Sequence, residues 1–149
     1  MTTHVHIADQ LCFSTYNVNR LFNKFYQEAL APYKLTYSQY LLLTALWEND
    51  HQELRDLGEV LHLKSNTLTP LVKRMEQRGW VSRTRPDDKR RLIVNLTDKA
   101  KASEEPIHEE LATCLGRRHM SYEDYQQALA LNQKFIAAFN ELGGFIFNN

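Results

Sequence analysis

The sequence predicts a mainly α-helical chain with a small β-hairpin, ordered as a winged helix-turn-helix. Three observations carry this reading. Apolar residues recur at helical spacing over both ends of the chain, and glycine and proline are sparse, with 5 and 4 copies in 149 residues. Near the middle, two short helical segments run straight into a charged hairpin.

Ile7, Leu11, Val18, Leu21, Phe22 and Phe25 fall on one helical face, so a first helix is expected from about Ile7 to Leu30, with Pro32 just past its end. Thr36 with Gln39 three residues on is a capping box, opening a second helix through Tyr40, Leu41, Leu43, Leu46 and Trp47. Glu53 to Leu61 is a short helix that turns Leu54, Leu57, Val60 and Leu61 inward, followed by a tight link, His62-Leu63-Lys64. Ser65 or Asn66 is expected to cap the next helix, which runs to about Arg78 through Leu68, Leu71, Val72 and Met75. Pro70 is expected near its first turn, where a missing N–H costs least, and Gly79 is its C-terminal stop.

Trp80 to Thr84 and Leu92 to Leu96 have strand composition, and Pro86-Asp87-Asp88-Lys89 between them is turn chemistry. The chain returns to helix at Thr97. Pro106 is expected to kink or break that helix before it resumes toward Cys114 and Leu115. Ser121 with Asp124 is another capping box, and the last helix is expected to reach about Leu142 on a stripe of Tyr125, Leu129, Phe135, Ile136, Phe139 and Leu142. Gly143-Gly144 ends it.

The length suits one domain, residues 1–149, able to bury a core without a metal or disulfide staple. The helical ends, 1–35 and 98–149, carry more apolar surface than a small wing motif needs, which predicts a homodimer built from both; residues 36–97 form the winged helix-turn-helix. Met1 to Gln10 has no secretory pattern, and the run Tyr40 to Trp47 is too short to span a bilayer, so a cytoplasmic protein with Cys12 and Cys114 as thiols is expected. No CxxC, glycine-rich phosphate loop, HExxH or Ser-His-Asp cue is present, which argues against a redox or other enzyme. His4 and His6 read as a solvated pair, and no cofactor or metal is expected.

Net charge is zero, yet its distribution is uneven. From Lys64 to Arg91 there are nine basic and three acidic residues, a local +6 balanced by −6 elsewhere. Such a block is a footprint for a polyanion or, read blandly, a solvated surface. In a helix-turn-helix the second helix meets base edges with its N-terminal residues, here Ser65, Asn66, Thr67 and Thr69. Lys73 and Arg74, one turn on, suit phosphates or a guanine edge, and Lys89, Arg90 and Arg91 at the hairpin tip suit a narrow minor groove.

The stretch Leu54 to Leu96, with Leu-Thr-Pro-Leu-Val-Lys-Arg-Met-Glu at 68–76 and Asp88-Lys89-Arg90 in the wing, resembles the MarR family of transcription regulators. The resemblance implies a dimeric MarR-type fold on a pseudo-palindromic double-stranded operator, with Arg90 in the minor groove and Asp88 steadying the wing. Lys64 and Asn66 stand where close relatives carry an acidic residue and a glycine, so the base contacts are this chain's own.

Cys12 shares a helical stripe with Tyr16, Asn23 and Tyr26. Fourteen residues of helix span about 21 Å, so Tyr26 and Cys12 cannot meet within one straight helix; across a two-fold axis they can, with Tyr37 joining them. Leu-Cys-Phe-x-x-Tyr (11–16) and Thr-Tyr-Ser-Gln-Tyr (36–40) are similar to the OhrR-type organic hydroperoxide sensors of the MarR family and the related SarZ/MgrA redox regulators. That likeness implies oxidation of Cys12 beside Tyr16 and the opposite subunit's Tyr26 and Tyr37, followed by operator release from what is read as a repressor. Cys114 stands where some members carry a resolving cysteine and others rely on a small thiol; its other reading is a small buried hydrophobe. The oxidant is left open between organic peroxide, hydrogen peroxide and hypochlorite. A second reading keeps DNA binding but makes the signal a small aromatic ligand, in a pocket lined by Phe13, Tyr16, Phe22, Tyr26 and Tyr37.

Overall fold

A computed structural model of the chain describes residues 6–86 and 90–141. A short 3₁₀ turn, Ile7–Asp9, precedes helix α1 (Leu11–Ala29). The periodicity predicted one helix from Ile7, but Gln10 takes an extended conformation (φ −87°, ψ 118°) and divides it. A second 3₁₀ turn, Ala31–Tyr33, carries Pro32, and Lys34 closes it in the left-handed region at φ 54°. Helix α2 (Tyr37–Glu48) opens on the expected capping box. The Gln39 N–H donates to the Thr36 hydroxyl at 3.3 Å, and the Thr36 N–H donates back to Gln39 Oε1 at 3.0 Å.

Strand β1 (Gln52–Glu53) follows, then α3 (Leu54–Leu61), α4 (Ser65–Gln77), β2 (Val81–Thr84) and β3 (Ile93–Leu96). The sheet is antiparallel in the order β1-β3-β2. Its first strand was not foreseen, because two residues are too few to show alternation; it pairs Gln52 with Val94 and Glu53 with Ile93. Asp50 locks this corner: its carboxylate accepts the Leu96 and His51 N–H groups, each at 2.8 Å.

Two expectations for α4 are corrected. Its cap is Lys64, whose backbone is extended and whose side chain makes no capping bond; Ser65 is already the first helical residue. The Lys64 carbonyl accepts from Leu68 at 2.9 Å, so the backbone begins the helix without either short polar side chain. Pro70 lies in the second turn, not the first, and removes the helical donor to the Asn66 carbonyl. The helix survives because Leu68, Leu71, Val72 and Met75 are all buried. Its end follows the forecast: Gly79 sits at φ 72°, its N–H donates to the Glu76 carbonyl, and the Trp80 N–H donates to Met75. This is a Schellman closure with Trp80 and Met75 both buried.

Helix α5 (Asp98–Gly116) is one continuous helix with Pro106 inside, so the proline does not break it. Ile107 and Leu111, just past the proline, are seated in the core, and the Trp47 indole donates to the Ala100 carbonyl before it. Packing on both sides of Pro106 holds the helix together. Helix α6 (Tyr122–Glu141) begins at Ser121, whose hydroxyl accepts the Asp124 N–H at 3.0 Å and donates to the Asp124 carboxylate at 2.6 Å. Leu142, Gly143 and Gly144 lie outside the described residues.

Every buried hydrophobic among the described residues lies between Phe25 and Leu111. Val60 of α3, expected to face inward, is exposed; every other exposed large hydrophobic among the described residues lies on the first 3₁₀ turn and α1, at Met120 or on α6. Among the described residues no helix is long and apolar enough to cross a membrane, and no three His, Cys, Asp or Glu side chains cluster to hold a metal.

Candidate nucleic-acid interface and thiol site

Helices α3 and α4 meet through a turn that depends on Gly58. A Cβ there would stand 3.0 Å from the Leu63 carbonyl oxygen and 3.5 Å from Leu68, so a side chain would press on the backbone of the link between the two helices. His62 takes the left-handed conformation at φ 53° to complete the turn. The apolar face of α4 is thereby committed inward, and Ser65, Asn66, Thr67, Thr69, Lys73 and Arg74 are all exposed. Because Lys64 supplies the cap, neither Ser65 nor Asn66 is tied to the helix start, and Asn66 Oδ1 accepts a long contact from the Thr67 hydroxyl at 3.5 Å.

The basic block divides into two kinds of cation. Arg83 donates from Nε and Nη2 to Glu76 at 2.9 and 2.6 Å, with its backbone N–H on the other carboxylate oxygen at 3.2 Å. The Arg83 hydrogen bond holds the Glu76 carboxyl below its usual range and ties β2 to α4. Arg91 pairs with Glu53 of β1, so it braces the base of the wing from an exposed position. Arg78 is half-buried and donates to Gln39 Oε1 at 3.2 Å. Lys64, Lys73, Arg74, Arg85 and Arg90 are exposed. Asp88 and Lys89 lie outside the described residues. The charge count missed Glu76 and Glu53 as internal partners; opposite charges flanking the Gly79 stop were the available signal.

Cys12 is exposed on the first turn of α1 as a free thiol. Tyr16 is exposed one turn later, with the Arg20 guanidinium 5.7 Å from its ring. Tyr26, near the other end of α1, lies about 21 Å further along the helix. There it stacks on Tyr37 with ring centroids 4.1 Å apart. Tyr40 stacks beside them at 5.7 and 6.5 Å and leads edge-on to Trp47 and His108. Burial pushes the Tyr26 and Tyr37 phenols above their ordinary value, and the neighbouring Tyr40 and Tyr125 phenols push the same way. Both therefore remain protonated hydrogen-bond donors at neutral pH. The structure thus brings Tyr26 and Tyr37 together and leaves Cys12 of the same chain remote from them. Tyr40, His108 and Tyr125 were not foreseen at this site; the i, i+3 spacing of Tyr37 and Tyr40 on one helix face was the legible hint.

Cys114 is half-buried against the core near the end of α5. Its thiol donates to Glu110 Oε1 at 3.2 Å, and that hydrogen bond, followed by burial, pushes the thiol up.

The model of the transcriptional regulator SarA/Rot family matches residues 6–107. The organic hydroperoxide resistance transcriptional regulator of Bacillus subtilis is 38% identical over 125 residues, covering 83% of this chain and 85% of the relative. Among solved structures, reduced AbfR bound to DNA superimposes with a TM-score of 0.79 at 43% identity, covering 89% of this chain and 94% of that one. Disulfide-formed AbfR gives 0.68 at 42% identity with 91% of each chain covered; AbfR is a Staphylococcus epidermidis protein. MarR of E. coli in its apo form gives 0.69 at 25% identity, covering 85% of this chain and 96% of that one. With a family match over 6–107 and these likenesses over more than four-fifths of the chain, the chain belongs to the SarA/Rot family of transcriptional regulators and has the MarR-type winged-helix fold.

Proposed function

We propose that the chain is a homodimeric, DNA-binding repressor that senses organic peroxide or another oxidant through Cys12 and then releases its operator. The observation that carries this reading is the stacked Tyr26–Tyr37 pair, at 4.1 Å, placed far along α1 from its own exposed thiol. Two protonated phenols remote from the Cys12 of their own chain suit the Cys12 of a second chain, whose α1 would run alongside. The exposed apolar stripes of α1 and α6 give such a chain its seat.

In the first step the Cys12 thiolate attacks a peroxide oxygen: the S–O bond forms, the O–O bond breaks, and the alcohol leaves with the proton. Cys114 then serves as the resolving thiol, its sulfur displacing water from the sulfenic acid to close a disulfide; a small cellular thiol is the substitute route. The likeness to AbfR, solved both DNA-bound when reduced and in a disulfide-formed state, supports this order. Ser65, Asn66, Thr67 and Thr69 read bases, Lys73 and Arg74 meet phosphates, and Arg90 enters the minor groove. Arg91 and Asp88 steady the wing. The reading needs no cofactor and places the protein in the cytoplasm.

The test is operator binding before and after peroxide, for wild type and Cys12→Ser. Wild type loses affinity and Cys12→Ser does not; equal sensitivity of the two sinks the mechanism. For the aromatic-ligand reading, Phe22 and Tyr26 line a cavity of about 180 Å³ with Phe25, Tyr40, His108 and Tyr125, while Phe13, Tyr16 and Tyr37 do not line it. Titrating a salicylate-like compound and peroxide against operator binding separates the two readings.

A further inference from the structure

Gln39 is the one buried polar residue among the described residues, and its side-chain oxygen serves two masters. It accepts the Thr36 N–H at 3.0 Å, completing the α2 capping box, and it accepts Arg78 Nη1 at 3.2 Å. Arg78 is the C-cap residue of α4, the helix placed at DNA. Its second guanidinium nitrogen reaches the Tyr33 carbonyl at 3.5 Å, and its own carbonyl accepts Lys99 Nζ, which lies over the Trp80 ring. Tyr37 is the first residue of α2, between Thr36 and Gln39, and its ring is held by Tyr26. A displacement of Tyr37 therefore moves the turn that carries Gln39.

We propose that the Gln39–Arg78 hydrogen bond is the joint by which the phenol-bearing start of α2 sets the position of α4, so that Arg78 is a positioning residue for the DNA response. This rests on the redox reading for its trigger, but the joint itself is a property of the reduced chain. The other end of α2 is held separately, through the Trp47 indole on Ala100. Movement at Tyr37 is accordingly delivered as a tilt of the α2 start against α4. A buried acceptor shared between a helix cap and a guanidinium leaves neither donor an alternative partner of equal quality.

The experiment is a double-mutant cycle in the reduced protein, Tyr37→Ala against Arg78→Met, read as the dissociation constant for a duplex selected by the wild type from a random-sequence pool. The effects of the two substitutions should depart from additivity by about threefold or more. In parallel, the affinity ratio before and after cumene hydroperoxide should fall in Arg78→Met to less than half the wild-type ratio, with partial recovery in Arg78→Lys. If Arg78→Met unfolds, the cycle is run with Arg78→Lys, whose single ammonium cannot serve Gln39 and Tyr33 together. Additive effects with an intact peroxide response overturn the joint. A wild type indifferent to peroxide, with the cycle still coupled, overturns the redox reading and leaves the joint standing.

Discussion

The segment from Phe25 to Leu111 and the helices that flank it use the same apolar residue types to opposite ends. In the first, Leu42, Leu43, Leu46, Leu57 and Ile107 are wholly enclosed, and polar groups such as Asp50 and Glu76 are spent on joining helices to strands. In the second, Leu129, Phe135, Ile136 and Phe139 stand on α6 with a third to a half of their surface in water. A chain does not normally leave so long an apolar stripe bare, since each square ångström forgoes about 25 cal/mol. The contrast teaches that hydrophobic periodicity reports a buried face without saying which molecule buries it.

Four measurements sharpen or break that contrast. The largest effect is expected from Phe135→Asp combined with Phe139→Asp, which should convert a dimer to a monomer in sedimentation while the helical circular dichroism persists. A dimer that survives both charges would return α6 to the ordinary surface. Next, Leu46→Ala should cost about 2–5 kcal/mol in urea unfolding, because a fully enclosed leucine leaves a cavity. Leu129→Ala in the monomeric background should cost less than about 1 kcal/mol. An equal cost would mean that α6 packs within its own chain.

Third, Lys73→Ala should weaken binding to all duplexes alike and lower the salt slope by about 1, as for one lost phosphate contact. Arg83→Ala, whose guanidinium is spent on Glu76, should leave that slope unchanged while lowering stability. The smallest effect concerns acid. Burial alone would raise the Asp50 carboxyl, but the Leu96 and His51 N–H groups, with His51 and Lys101, together hold it below its ordinary value. A depressed carboxyl adds stability above the unfolded-state value and loses it as pH falls through the folded one. Unfolding midpoints at pH 7 and pH 3, at one protomer concentration, should therefore differ more for wild type than for Asp50→Asn.

Much of this architecture was legible in local chemistry. The Thr36–Gln39 box, the Gly79 stop, the two hairpin strands and the inward face of α4 follow from short-range hydrogen bonding and side-chain period. The errors share one cause. Pro106 was read as a local kink or breaker and Pro70 as a first-turn residue, but helices docked through Ile107, Leu111, Leu71 and Val72 absorb the lost bond. Strand β1 exists only because Asp50 and β3 present it with an edge.

At the candidate site the thiol and the phenols were visible as residues at matching intervals, and so was the geometric bar to their meeting along one helix. Spacing along the chain sets such distances directly, because a helix rises by a constant step. Tertiary structure alone decided that Tyr26 and Tyr37 stack, that Tyr40, His108 and Tyr125 gather around them, and that Arg78, Arg83 and Arg91 turn from the basic block toward Gln39, Glu76 and Glu53. Pairing between residues tens of positions apart depends on how helices cross, and no local pattern encodes a crossing.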